Sequence, residues 1–408
     1  MTRPGTPRTS GVRAAGPQAL VLDVDALLGD RSIDIIVCCG SGGVGKTTTA
    51  AALALRAAEQ GRTVVVLTID PARRLAQSMG LTELDNTPRP VAEVDGAAGG
   101  SLDAMMLDMK RTFDEVVVEH STPEKAEQIL ANPFYQAVSS SFAGTQEYMA
   151  MEKLGQLHHA VGGGGISRGG SGGSRSQARW DLIVVDTPPS RSALDFLDAP
   201  KRLGSFLDGR FIRLISAPAK VGGRASLKVF NVGLGLVTST LSKVLGGEML
   251  RDVQTFITAL DTMFGGFRQR ADQTYALLSQ RSTAFLVVAA PERDALREAS
   301  FFIARLESER MPLSGLVLNR VQQVPASGLS AARAQAGAEE RADDGDHLTA
   351  GLLTLHADLA GTADRQRTLA RRFVVGHPGT PVAEVPALAE DVHDVDGLRQ
   401  VGAALAGA

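Results

Sequence analysis

The chain has 408 residues, 44% of them hydrophobic and 21% charged, enough for one large α/β core with room for an insertion. A net charge of -3 lacks the basic excess of a general nucleic-acid binder. The two cysteines, Cys38 and Cys39, are adjacent, which excludes a disulfide framework or a cysteine-rich zinc or iron–sulfur site within one chain.

In chain order, residues 1–18 are polar and rich in Pro and Gly. They are expected to be disordered, and they lack the apolar core of a signal peptide. No window has about 18 uninterrupted apolar residues, so no membrane-spanning helix is expected. The expected location is cytoplasmic, with membrane contact only peripheral or through a partner. From residue 19 to 408 apolar runs alternate with amphipathic segments, the signature of βαβ units. Strands are predicted at Ile33–Cys39, Thr63–Ile69, Asp181–Asp186, Phe285–Ala290, Leu313–Leu318 and Val382–Val385, and helices at Lys46–Gln60, Glu292–Arg310 and Val395–Leu405. The fold class is therefore α/β, a doubly wound, mostly parallel sheet.

Some stretches break this rhythm. Apolar residues in Leu102–Val117 and Glu248–Phe264 recur at helical spacing. With their neighbours they suggest an inserted helical subdomain, in segments of about 101–160 and 199–280. Seven of the ten methionines fall in these blocks (105, 106, 109, 149, 151, 249, 263). Ordinary helix packing explains them first; an adaptable groove for a client explains them second. Residues 161–179 read as a flexible Gly/Ser linker. The charged, Ala-rich stretch at about 326–351 reads as an exposed helix or a mobile insertion. The adjacent His158 and His159 read as surface residues rather than ligands.

The chemistry concentrates in GSGGVGKTT. Gly40, Ser41, Gly42, Gly43, Val44, Gly45, Lys46 and Thr47 complete G-x-x-x-x-G-K-[ST] between a predicted strand and a predicted helix, the context this P-loop pattern requires. The glycines let backbone N–H groups turn toward phosphates, and the helix N-terminus adds its positive end. Lys46 would reach the β- and γ-phosphates, with Thr48 also lining the nucleotide, and Thr47 would bind Mg2+ through its hydroxyl. Asp70 ends the second predicted strand, placed to orient a water or help hold the metal. Asp186 ends the run DLIVVD, a Walker-B pattern, and is expected in the Mg2+ shell. ATP and Mg2+ are the expected substrate and cofactor.

These motifs together resemble the arsenite-pump ATPase family, which includes the ATPases that target tail-anchored membrane proteins and belongs with MinD, ParA and the nitrogenase iron protein in the deviant Walker-A class. The resemblance also takes in GTQEYMAMEKL, APERDALREA, VLNRV and VAEVPALAEDVHDVDGLRQVG. It implies that Asp70 positions the hydrolytic water, that Asn319 hydrogen-bonds adenine and that the loop near Pro386 closes over the base. It also implies a dimer that closes on ATP and couples hydrolysis to helices that bind a client or partner.

The departures from the family pattern are specific. Ser41 stands where the family carries a lysine that crosses to the partner's nucleotide. That leaves a homodimer without this charge, or a heterodimer with a lysine-bearing paralogue, or Arg73 and Arg74 as substitutes. Arg191 and Ser192 replace the usual Gly and His of the second switch, and the family's metal-binding cysteines are missing. The competing readings are a MinD- or ParA-like positioning ATPase and a nucleotide-gated scaffold that hydrolyses little. No nucleic-acid partner is expected.

Overall fold

Two apolar cores, one on each face of a single sheet, organise the molecule. The computed structural model describes residues 20–69, 74–133, 135–136, 145–161, 179–188 and 269–407. Asp70, Arg73, the second-switch residues from Pro189 onward, the 1–18 terminus, and most of the predicted linker and of the 199–280 helical segment lie outside these residues.

Among the described residues the sheet has eight strands in the order β3-β4-β2-β5-β1-β6-β7-β8. They are β1 (Ile35–Gly40), β2 (Thr63–Thr68), β3 (Arg89–Pro90), β4 (Ser101–Met106), β5 (Leu182–Asp186), β6 (Thr283–Ala289), β7 (Leu313–Val321) and β8 (Val382–Pro386). All neighbours run parallel except the short edge pair β3–β4. β1, β5 and β6 are buried along their whole lengths, as parallel strands covered on both faces must be. Their side chains alternate between the two cores: Ile35, Val37 and Cys39 enter one, Ile36 and Cys38 the other.

The second core is roofed by α1 (Val24–Gly29), α2 (Lys46–Glu59), α3 (Arg74–Ser78) and α10 (Val395–Ala406). The first is covered by α4 (Met109–Glu119), α5 (Pro123–Leu130), α6 (Thr145–Val161), a helical stretch at 269–278 and α7 (Arg293–Ser308). Two further helices, α8 (Ala331–Asp343) and α9 (His347–Gly376), pair with each other.

The structure corrects one expectation and sharpens others. The helical periodicity of Leu102–Val117 is divided: Ser101–Met106 is strand β4, and a helix begins only at Met109. Asp108 caps that helix by accepting from the Arg111 N–H at 2.9 Å. The Ala-rich stretch near 326–351 is a helical hairpin whose second arm continues to Gly376. Met105, Met149 and Met151 are core residues; Met249 and Met263 lie outside the described residues. His158 is half-buried beside Asp34, its Nε2 3.9 Å from the carboxylate, and burial lowers its pKa from the ordinary histidine value.

Sequence reading also misses Arg62, which is 1% exposed at the bottom of the sheet. Its guanidinium donates to Asp181 Oδ1 at 2.9 Å, to the Asp181 carbonyl at 2.5 Å, to Ile33 O at 2.8 Å, and to Leu28 O and Asp30 O at 3.2 Å. One side chain thus joins α1 and the starts of β1, β2 and β5. Because a buried polar cluster stripped of one partner leaves the others unsatisfied, Arg62→Leu is expected to cost roughly 3 kcal/mol of stability. Urea unfolding measures this, and a loss below about 1 kcal/mol would show that water replaces the guanidinium.

Cys38 and Cys39 are fully enclosed in β1. Burial pushes the Cys39 thiol up to about 12 and the Cys38 thiol well above its usual value, so neither forms the reactive thiolate at neutral pH. The folded protein is expected to be silent to Ellman's reagent at pH 8 and to release two equivalents per chain in denaturant. One rapid equivalent from folded protein would contradict this.

Candidate nucleotide site

The C-terminal ends of β1, β2 and β5 converge where open α/β sheets bind ligands. β1 ends at Gly40, and residues 41–45 turn directly into α2. Glycine is required at two points of this turn. Gly40 has φ +152°, and a Cβ there would stand 2.1 Å from the Val288 carbonyl oxygen of β6. Gly45 has φ +93°, and its Cβ would meet Asn319 Nδ2 at 2.2 Å. The apex, Gly42 and Gly43, is exposed. A loop of this kind, opening onto the N-terminus of a 14-residue helix, is an anion cradle.

Lys46 is 7% exposed, and its Nζ donates to the Ser41 carbonyl at 2.9 Å, spanning the loop. Ser41 is itself buried, and its hydroxyl has no hydrogen-bond partner among the described residues. Thr47 Oγ1 donates to Asp186 Oδ2 at 2.7 Å, and Thr68 Oγ1, at the end of β2, donates to the same oxygen at 2.9 Å. Asp186 is fully buried. The structure thus joins Thr47 of the one motif to Asp186 of the other across a 139-residue separation. The next strand end is tied in too: Ile69 N donates to the Asp186 carbonyl at 3.0 Å, and Asp70 follows Ile69 in sequence.

A cavity of about 480 Å³ opens beside the loop. Gly45, Thr47, Thr48, Asn319, Arg320 and Pro386 are among its lining residues. Asn319 and Pro386, more than 270 residues from the P-loop in sequence, therefore share its cavity. Asn319 already uses its amide on the loop, with Nδ2 donating to Val44 O at 2.8 Å. Arg320 was not singled out by sequence. Its Nη1 donates to Gly43 O at 3.0 Å, and the only sequence signal for it is its position beside Asn319.

The oxygen donors of Thr47 and Asp186 fit Mg2+. It prefers hard oxygen ligands and typically takes only one or two from protein, the rest from phosphates and water. Both cysteines are buried in β1.

Residues 33–336 match the family described as anion-transporting ATPase. Among related proteins, the ATPase GET3 of Podospora anserina is 24% identical over 315 residues, 77% of this chain and 80% of that protein. The ATPase ARSA1 of Chlamydomonas reinhardtii is 24% identical over 314 residues, covering 70% of this chain and 35% of that one. An arsenical pump-driving ATPase of Acidiphilium multivorum is 29% identical over 172 residues, 41% and 26% respectively. A match over this much of the chain, on a parallel sheet whose P-loop meets its Walker-B aspartate, shows that the chain is an ATPase belonging to the anion-transporting ATPase family.

Proposed function

We propose that the chain works as a dimeric, Mg2+-dependent ATPase in the cytoplasm, and that its nucleotide cycle moves helical segments that bind a protein client or partner. The observation that carries this reading is the 2.7 Å bond from Thr47 Oγ1 to Asp186 Oδ2. It sets the Thr47 hydroxyl and the Asp186 carboxylate side by side where β5 ends and α2 begins. The N–H groups of the loop and of the first turn of α2 would receive the phosphates, and Lys46 would exchange its bond to the Ser41 carbonyl for the β- and γ-phosphates. Thr47 and Asp186 would hold Mg2+, which when bound neutralises charge on the phosphate oxygens. Asp70 is assigned the role of orienting the attacking water; the Ile69–Asp186 bond supports this by tying the preceding residue to the metal pair. Asn319 and Pro386 would border the base. No described helix is long and apolar enough to cross a membrane.

Coupling is supported by the helices α4, α5 and α6, whose apolar faces share one core with β1, β2 and β5. Movement at the strand ends would therefore reach them through packed side chains. The dimer rests on the family resemblance, in which the position of Ser41 carries a lysine that crosses to the neighbouring nucleotide. A serine carries no cation to a neighbouring site, so we assign to this chain a partner that supplies a lysine.

In a steady-state ATPase assay, Asp186→Asn is expected to lower kcat by roughly 100-fold and to raise the Mg2+ concentration needed for half-maximal rate, while Thr47→Ser stays close to wild type. A wild-type Mg2+ curve for Asp186→Asn would remove Asp186 from the metal site.

Ser41→Lys is expected to raise kcat of the isolated chain about tenfold or more, because a cation aimed at the transferring phosphoryl group is the missing element. If the rate stays flat while the wild type turns over, another group already fills that role and a homodimer becomes the simpler assembly.

A further inference from the structure

β7 does not run regularly to its end. Its register with β8 shifts between Leu318 and Val321. Within that irregularity Arg320 has φ +62°, a left-handed conformation that residues with a side chain rarely adopt. Bulges of this sort re-aim side chains beside functional sites. Successive side chains of a regular strand point to opposite faces, yet here both Asn319 and Arg320 reach the same loop. Asn319 Nδ2 donates to Val44 O at 2.8 Å and Arg320 Nη1 to Gly43 O at 3.0 Å. The pair is also locked internally, because the Arg320 backbone N–H donates to Asn319 Oδ1 at 3.0 Å.

A phosphate cradle works only if its N–H groups face the anion, so its carbonyls must face away. The carbonyl of Gly43 shares a peptide plane with the N–H of Val44, and that of Val44 with the N–H of Gly45. Donors on the carbonyl side therefore fix which way those two N–H groups point. Lys46 also holds a loop carbonyl, that of Ser41, but its amine is needed at the phosphates. Asn319 and Arg320 can keep their grip throughout.

We propose that Asn319 and Arg320 form a clamp on the outer side of the P-loop: positioning residues that pre-orient the Val44 and Gly45 N–H groups toward the phosphates. The proposal rests on the reading of this loop as the nucleotide site. It assigns the Asn319 amide to the loop rather than to the base alone, and gives Arg320 a part in the ATPase reaction.

Arg320→Gly tests it cleanly, since glycine accepts φ +62° without strain and the fold should hold or gain in thermal stability. The readouts are equilibrium binding of a fluorescent ATP analogue with Mg2+ and competition by tripolyphosphate, which has no base. The clamp predicts that both affinities fall together, by about five- to tenfold, and that Arg320→Lys restores most of the loss. A fall for the ATP analogue alone would mean that Arg320 serves the base, and unchanged affinity for both probes would mean that it does nothing at the loop; either result overturns the clamp. Lys46→Ala is measured in parallel. If it too leaves both affinities unchanged, the loop is not the phosphate site and the clamp falls with it.

Discussion

The bond between Thr47 and Asp186 is the constraint on which the rest of the molecule turns. One residue opens α2 and the other ends β5, 139 positions later. For the two to meet, β5 must insert between β1 and β2, and all three strands must end at one level. The observed order and register do this: Cys38 pairs with Asp186 on one side and Thr68 pairs with Asp186 on the other. Parallel strands packed on both faces tolerate no slip, because a shift of one residue would send every side chain into the wrong core. The meeting of Thr47 and Asp186 is therefore set by the Val, Ile and Leu side chains of the two cores.

Much of this was legible in the sequence because its signals are local. A strand, a glycine-rich turn and a helix lie within one short stretch, and the residue types alone demand that geometry. The strands at the centre of the sheet announce themselves as apolar runs rich in Val and Ile. β4 did not, because its Leu102, Met105 and Met106 continue in phase with the true helix beyond; the break lay in Asp108, a capping residue that outweighs apolar spacing. α9 was hidden for the opposite reason. Over its first half it packs through small residues, Ala350, Ala357, Ala360 and Ala363, while Leu348, Leu352 and Leu355 face outward, so large apolar residues there mark the wrong face.

At the site, the parts that escaped sequence reading depend on tertiary structure. Asn319 could be marked by resemblance, but nothing in VLNRV shows that a bulge turns two neighbouring side chains onto one loop. Arg62 was equally silent, since its acceptors are mostly backbone carbonyls from three different segments. Backbone carbonyls carry no sequence signature, and both clusters use them. Ser41 is the reverse case: an obvious departure in sequence whose side chain the structure encloses within the loop.

The sheet's two edges also govern how copies of the molecule can meet. β3 is only two residues long, antiparallel, and ends in Pro90, which has no N–H to offer. At the far side, residues 20–22 bond to the start of β8, where Val382 exchanges hydrogen bonds with Leu20 and Leu22. Among the described residues neither border presents a long row of open peptide groups, which disfavours growth of the sheet from one chain into the next. Under the proposed function, contacts between copies would fall to helices and loops, and any made beside residues 41–45 would feel changes at the nucleotide.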